Sequence, residues 1–325
     1  MEETVIGGSK SVAQLKKQIA KSAKSASDLL LVGESGVGKG FIARRIHSGR
    51  FGETIGHHPF LSVNVALIDD KELEAVLFGS EMGLPGMPPT IDRGLFELSD
   101  NGSVLIEEVE EASFRSQKKI LDFIRTRVTK RTGSDEGKTV NTRVILTLKR
   151  SPKELLSDRK LDANMAAKLA EFESIKIAPL RERPEDIPML VKHFVTQLSG
   201  DLGIKDVAID INAIDALVKH PWKQNIRELK AVIDKSILTS SGGKFVLPPE
   251  LTDEKTEIVK IISDIISGQE QVLDSSLDTV EHGIIERALE RFGYNQSRAA
   301  SFLGMTEQTL HHKLKRLAIS SSSDC

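Results

Sequence analysis

Apolar positions in the first half of the chain follow two habits. Some recur at helical spacing, as in Val12–Ala23, and others form short unbroken runs, the first being Leu29–Val32. A run of four apolar residues bounded by polar ones suits a strand buried on both faces, and helices interleaved with such strands predict a parallel α/β sheet between helical layers. Phe60–Val65, Ser103–Ile106 and Val144–Thr147 are further strand candidates, each short and flanked by polar or turn residues. From Pro179 to Leu238 the strand signal fades, and helical patterns take over in Pro184–Leu198 and Ala213–Leu238. Residues 239–276 contain Ser-Ser-Gly-Gly, Pro-Pro and scattered charges around the apolar Ile258–Ile266, which reads as a linker holding one short helix. From Leu277 onward three helix-period segments are separated by Gly293 and Gly304, and no internal repeat interrupts the chain.

Composition narrows the class. At about 150 residues per domain, 325 residues make roughly two domains, and 39% hydrophobic with 28% charged residues is the ordinary globular range. The net charge of −2 announces no global affinity for nucleic acid, so any such surface must be local. The single cysteine, Cys325, excludes an internal disulfide. No apolar run approaches the roughly 20 residues that span a bilayer, and Met-Glu-Glu-Thr at the start lacks the basic and apolar regions of a signal peptide. A cytoplasmic protein with no membrane partner is the expectation.

Candidate chemistry begins directly after the strand Leu29–Val32. Gly33-Glu34-Ser35-Gly36-Val37-Gly38-Lys39-Gly40 is followed by a helical stretch, the strand–loop–helix setting that a phosphate-binding G-x-x-x-x-G-K loop requires. Its glycines let backbone N–H groups crowd phosphate oxygens, and Lys39 can bridge the β- and γ-phosphates, so a nucleoside triphosphate is the expected ligand. Gly40 replaces the usual Ser/Thr hydroxyl that helps to hold Mg²⁺, which must then find other ligands. Glu107-Glu108, at the end of the strand candidate Ser103–Ile106, are the catalytic candidates: Glu107 to position Mg²⁺, directly or through water, and Glu108 to orient an attacking water.

Near the C-terminus, Asn295–Gly304 and Met305–Leu317 read as two short helices hinged at Gly304, the pattern of a helix-turn-helix. Thr306 would cap the second helix, and Leu310, Leu314 and Leu317 would pack on Ala299, Ala300 and Leu303. Between Tyr294 and Ala318 four cationic residues (Arg298, Lys313, Lys315, Arg316) stand against Glu307, a local +3. The second helix would enter the major groove of double-stranded DNA. Gln308, His311 and His312 are the candidates for base edges, and Asn295, Ser297, Arg298, Lys313 and Lys315 for phosphates, with Thr306 and Thr309 on the same helix start. A plain helical hairpin is the competing reading. Adjacent His311 and His312 point about 100° apart on a helix, which makes a shared metal a poor use of them.

These segments, with others, resemble the bacterial enhancer-binding proteins, the AAA+ activators of sigma-54 RNA polymerase, ending in a Fis-type helix-turn-helix. The resemblance rests on Val5-Ile6-Gly7-Gly8-Ser9, Gly33–Lys39, Leu77-Phe78-Gly79-Ser80-Glu81, Pro179-Leu180-Arg181-Glu182-Arg183-Pro184-Glu185-Asp186-Ile187 and Trp222-Lys223-Gln224-Asn225-Ile226-Arg227-Glu228-Leu229. It implies an AAA+ three-layer αβα sandwich over 1–178, a helical lid over 179–238, a linker over 239–276 and the DNA-binding domain over 277–325. It also implies ATP with Mg²⁺ as ligands, an adenine pocket opened by Val5 and Ile6, Arg227 as the sensor II arginine, and assembly into oligomers with itself or a related activator. With the AAA+ start at the N-terminus, no room for a receiver domain is expected, and control would come from a partner.

Four departures change what the resemblance implies. The family's sigma-54 contact loop reads Gly-Ala-Phe-Thr-Gly-Ala, where this chain has Gly83-Leu84-Pro85-Gly86-Met87-Pro88-Pro89. Its Asp-Glu pair is Glu107-Glu108 here, and its sensor I Thr-Asn is Leu148-Lys149. Asp162 and Lys168 stand where its two arginine fingers belong. A finger is worth about 10³–10⁵ in rate, and lysine lacks the planar fork that grips a transferring phosphoryl group. A DNA-binding regulator that binds ATP with weak or no hydrolysis and impaired sigma-54 contact is the first expectation. An active ATPase that remodels sigma-54 RNA polymerase is the alternative.

Overall fold

The computed structural model describes residues 4–81, 91–204, 207, 209–239, 245, 247, 251, 282, 285, 286, 288, 289, 292 and 294–316. The chain divides into two compact units, Met1–Leu247 and Pro248–Cys325. The segment Gly83–Pro89, the linker's Ile258–Ile266 and Leu317 lie outside the described residues.

Five strands form the central sheet of the first unit: β1 Leu29–Val32, β2 Phe60–Asn64, β3 Ser103–Glu107, β4 Arg143–Leu148 and β5 Glu173–Lys176, in the order β2-β3-β4-β1-β5. Every pairing is parallel, with Val32 opposite both Leu148 and Lys176, and Asn64 opposite Glu107. The carboxyl ends of all five strands therefore share one edge, where ligands of open α/β sheets bind. β1 is buried at all four positions because it is covered on both faces. Leu30 and Val32 join Val104, Ile106 and Leu146 under the helices α3 Asp70–Phe78, α4 Phe114–Thr126 and α5 Ala163–Ala170, while Leu29 and Leu31 join Leu105 and Ile145 under α1 Lys10–Ala23 and α2 Lys39–Phe51. The result is the three-layer sandwich expected. β5 escapes the hydropathy pattern because, as an edge strand, it buries only Ile175.

The lid consists of α6 Ile187–Leu202, α7 Ile211–Lys219 and α8 Asn225–Leu238. The single helical pattern read over Ala213–Leu238 breaks after Lys219, where Pro221 follows and Trp222 adopts a left-handed φ of 46°. A proline cannot continue the helical hydrogen-bond ladder. Trp222 is fully buried at the break, and its indole N–H donates to Leu217 O at 2.8 Å.

In the second unit, α9 Gln296–Phe302 and α10 Glu307–Arg316 pack through Ala299, Ala300, Leu310 and Leu314, joined by buried Ile285, Ala288 and Leu289. Gly304 at φ 69° ends α9, and Met305 N–H reaches Ala300 O at 3.0 Å, closing the last turn as a Schellman motif. The hinge lies at the glycine that the sequence marked.

Candidate functional site

The loop Gly33–Gly38 leaves the carboxyl end of β1 and delivers the chain into α2, whose N-cap is Gly38 at φ 98° with no side chain capping it. The first N–H groups of α2 thus remain available to an anion. Nothing stands within 4 Å of where a Cβ at Gly38 would lie, whereas at Gly36 (φ 78°) a Cβ would meet Gln224 O at 2.0 Å. One glycine keeps the phosphate side open and the other lets the lid's backbone press against the loop. Lys39 is buried, and its ammonium donates to Gly33 O at 2.6 Å and Glu34 O at 3.0 Å. Burial pushes its pKa down from the usual lysine value, against the opposing pull of Glu108, Glu110 and Glu107.

The lid grips this loop through three residues. Asn225, at a left-handed φ of 58°, donates to Ser35 O at 3.0 Å and Glu34 Oε2 at 3.2 Å, and accepts from Leu180 N–H at 2.8 Å. Arg227 donates from Nη1 to Ser35 Oγ at 3.1 Å, and its backbone N–H reaches Gly36 O. Arg181 forks onto Glu34 at 2.6 and 2.7 Å, and this hydrogen bonding holds the Glu34 carboxyl below the usual glutamate range. The sequence singled out Arg227; Asn225 and Arg181 lay in the quoted segments without a role, because only folding brings them to the loop.

Beside the loop lies a cavity of about 330 Å³ lined by Val5, Ile6, Val37, Phe41, Leu190 and Ile226. Arg183 lines it too; it is buried, and its Nε and Nη2 have no hydrogen-bond partner among the described residues. An apolar slot with orphaned donors suits a flat heteroaromatic ring. Asp186 ties down the segment that follows Ile6, accepting from Gly8 N–H, Ser9 N–H and Ser9 Oγ at 2.7, 2.8 and 2.6 Å. Gly7 (φ 135°) leaves room for this tie, since a Cβ there would come within 2.8 Å of the Asp186 carboxyl.

At the end of β3 the two catalytic candidates have different surroundings. Glu107 is half-buried and faces Gly40, and desolvation raises its pKa against the pull of Lys39 and Arg227. Glu108 is nearly buried in a left-handed backbone (φ 58°), a sparsely populated conformation for a side-chain-bearing residue. Its N–H donates to Thr147 Oγ1 at 3.0 Å, and Lys149 Nζ lies 3.1 Å from Oε2. The same ammonium lies 2.9 Å from Glu111. Periodicity gave no sign of this clamp, since it joins the ends of two strands distant in sequence.

Asp162 and Lys168 sit on α5 and serve local ends. Asp162 is the N-cap, accepting from Asn164 and Met165 N–H, and Lys168 pairs with Glu171 at 2.7 Å. In the second unit, Thr306 caps α10 through Thr309 N–H at 3.2 Å. Asn295 caps α9, its Oδ1 accepting from Arg298 N–H at 3.0 Å. Ser297, Arg298, Gln308, Thr309, His311, His312 and Lys315 are exposed and Lys313 is half-buried. Among the described residues no helix is long and apolar enough to cross a membrane.

A phosphate loop, a lid bearing an arginine on that loop and a helix-turn-helix define an AAA+ nucleotide-binding module joined to a DNA-binding type of domain. Family models agree along the chain: the sigma-54 interaction domain matches residues 5–175, the AAA+ ATPase lid domain 181–259, and the bacterial regulatory protein, Fis family, 276–317. The chain belongs to the sigma-54 interaction domain family. It is 31% identical to the transcriptional regulatory protein XylR of Pseudomonas putida over 96% of this chain and 56% of XylR, and 30% identical to the regulatory protein AtoC of Escherichia coli K12 over 97% and 68%. It thus spans little more than half the length of XylR. NtrX from Brucella abortus, solved in complex with ATP, superposes with a TM-score of 0.68 at 28% identity over 98% of this chain and 70% of NtrX.

Proposed function

We propose that this chain is a DNA-binding transcriptional regulator that holds Mg²⁺-ATP between its loop and lid and hydrolyses it slowly or not at all. The reading of Asp162 and Lys168 as replacements for the fingers carries it. In the structure these side chains cap their own helix and pair with Glu171, and neither offers the guanidinium fork that stabilises a phosphoryl transition state. Lys149 strengthens the reading, because its ammonium neutralises the Glu108 carboxylate that would orient water.

The cleft's residues divide the work of binding. The N–H groups opening α2 and the Lys39 ammonium would receive the phosphates, Val5, Ile6 and Arg183 the base, and Arg227 would sense the γ-phosphate from the lid. Glu107 supplies the oxygen chemistry that magnesium prefers. When bound, the metal neutralises phosphate charge. The α10 surface would read double-stranded DNA, with His311, His312 and Gln308 at base edges and Arg298, Lys313 and Lys315 at phosphates. Assembly would be with itself or with a related activator, and contact with RNA polymerase would depend on the segment Gly83–Pro89.

The intact loop and the carboxylates at the end of β3 favour one second reading, an active ATPase that remodels sigma-54 RNA polymerase. Phosphate release at high protein concentration, with and without specific DNA and with Lys39→Ala as the blank, separates the two. Release at the blank level with ATP still bound is the expected result. Release well above it returns the motor to first place.

A further inference from the structure

At the edge of the sheet opposite the phosphate loop lies a second cavity, of about 320 Å³, large enough for a small molecule. Its walls come from residues that open β1 and β4 and close α2 and α4: Asp28, Arg143, Arg50 with Phe51, and Arg127, with His58 beside them. Asp28 precedes the first residue of β1 and Gly33 follows its last, so the length of that strand separates the two sites.

Three guanidinium groups share this cavity with one carboxylate among the described lining residues. Arg50 and Arg127 stand at the carboxyl ends of α2 and α4, where the helix dipole gives a cation a local reason to be. Arg50 Nη1 donates to Ser25 O, and Arg127 pairs with Asp28 and donates to Thr142 O at 3.2 Å. Arg143 has no such reason. It opens a strand, is 5% exposed, and donates from Nε to Ser27 O at 2.8 Å, while its Nη1 and Nη2 are buried with no hydrogen-bond partner among the described residues. Burial and the charge of Arg50 lower its pKa to about 10, against the pull of Asp28 and Glu173. Both carboxylates are engaged elsewhere: Asp28 accepts from Val144 N–H at 2.9 Å and pairs with Arg127, and Glu173 pairs with Lys21 at 3.3 Å. A buried guanidinium with idle donors carries a desolvation cost that no protein partner offsets.

We infer that this cavity is a second anion site, one that takes a small ligand through a phosphate group with Arg143, Arg50 and Arg127 as its donors. Charge selects the ligand class. Three guanidiniums against Asp28 leave a local +2, and a phosphate monoester carries about −1.5 to −2 at neutral pH, whereas a single carboxylate would leave half of the excess. The guanidinium fork also meets phosphate oxygens in pairs, and the two orphaned Nη groups of Arg143 supply such a pair. The site stands apart from the nucleotide cleft and holds whether or not that cleft hydrolyses ATP.

The test uses the full chain carrying Lys39→Ala, so that the phosphate loop no longer supplies a competing lysine. Inorganic phosphate and phenyl phosphate are titrated by calorimetry at fixed ionic strength, with acetate as the monoanion control. A phosphate probe should bind once per chain with a Kd of about 1 mM or tighter, and acetate should not bind. The tighter of the two probes tells whether the ligand is free phosphate or an ester. Arg143→Met keeps the bulk of the side chain without its charge and should weaken phosphate binding about tenfold or more. In phosphate-free buffer the same variant should unfold at an equal or higher temperature, because it removes a buried charge that lacks a partner. An arginine with a structural role alone would give the reverse, unchanged phosphate affinity and a lower unfolding temperature. Should Arg143→Met fail to fold, Arg50→Gln carries the test and should weaken binding about threefold or more. Asp28→Asn, which removes the competing negative charge and leaves an oxygen for Val144 N–H, should tighten it. Absence of phosphate binding, equal binding of acetate, affinity unchanged in Arg143→Met and Arg50→Gln, or affinity lost in Asp28→Asn overturns the site.

Discussion

Asn225 reaches Ser35 across 190 positions of sequence and Asp186 reaches Ser9 across 177, whereas in the helix-turn-helix Thr306 and Asn295 each bond a backbone N–H three residues on. The cleft between loop and lid exists only when distant segments are brought together; the exposed face of the helix pair is shaped by one hinge and one apolar seam. The cleft therefore spends its polar groups on itself: Glu34, Asn225, Lys39 and Glu108 all have protein partners. The helix pair holds itself by caps and by Leu310 and Leu314, which leaves His311 and Lys315 exposed for a partner. A site built by long-range contacts is sensitive to changes far from the ligand, while one built locally is sensitive mainly at its own seam.

The largest effect that would break this contrast is the loss of a buried anchor in each region. Trp222→Ala empties the site of a fully buried indole and should cost about 3–5 kcal/mol by denaturant unfolding. Nucleotide affinity should fall with it, because Asn225 N–H bonds Trp222 O at 2.9 Å and Arg227 follows on α8. Leu310→Ala should cost about 2–5 kcal/mol within the second unit and abolish DNA binding with nucleotide affinity unchanged. A change in nucleotide affinity there would show that the regions are coupled.

A smaller effect sharpens the reading of the exposed surface. His311→Ala should relax preference at one base position by about 1–3 kcal/mol, measured on a panel of single-base operator variants. Lys315→Ala should instead weaken all sequences alike and reduce the salt slope by about one contact. Equal losses on every sequence for both would remove His311 from the readout.

The smallest effect concerns His47, buried between Ser103 Oγ at 3.0 Å and His58 O at 3.1 Å. Desolvation lowers its pKa from the ordinary histidine value of 6.5, so at acid pH the unfolded chain binds the proton that the folded one resists. Its contribution is thus complete above about pH 6.5 and is lost as pH falls through the lower folded value. Thermal unfolding followed between pH 7 and pH 5 should show a falling Tm that His47→Gln flattens; an unchanged slope would assign the acid sensitivity to other groups.

The sequence by itself determined the parts whose physics is local. Four apolar residues before a glycine loop specify β1 and the phosphate turn, and Gly304 with Thr306 specifies the hinge and cap of the second helix, because period, turn and cap each depend on a few neighbouring residues. Only the tertiary structure decided what those parts meet. The order β2-β3-β4-β1-β5 brings Glu107, Glu108, Lys149 and Gly33 to one edge, and no hydropathy pattern encodes strand order. Edge strand β5 left no hydropathy signal because it buries only Ile175. The clamp of Lys149 on Glu108, the grip of Asn225 on the loop and the fit of Glu107 against Gly40 are contacts between strand ends, a lid and a helix start. Their meeting is fixed by the burial of the sheet's two faces, which is a property of the whole chain.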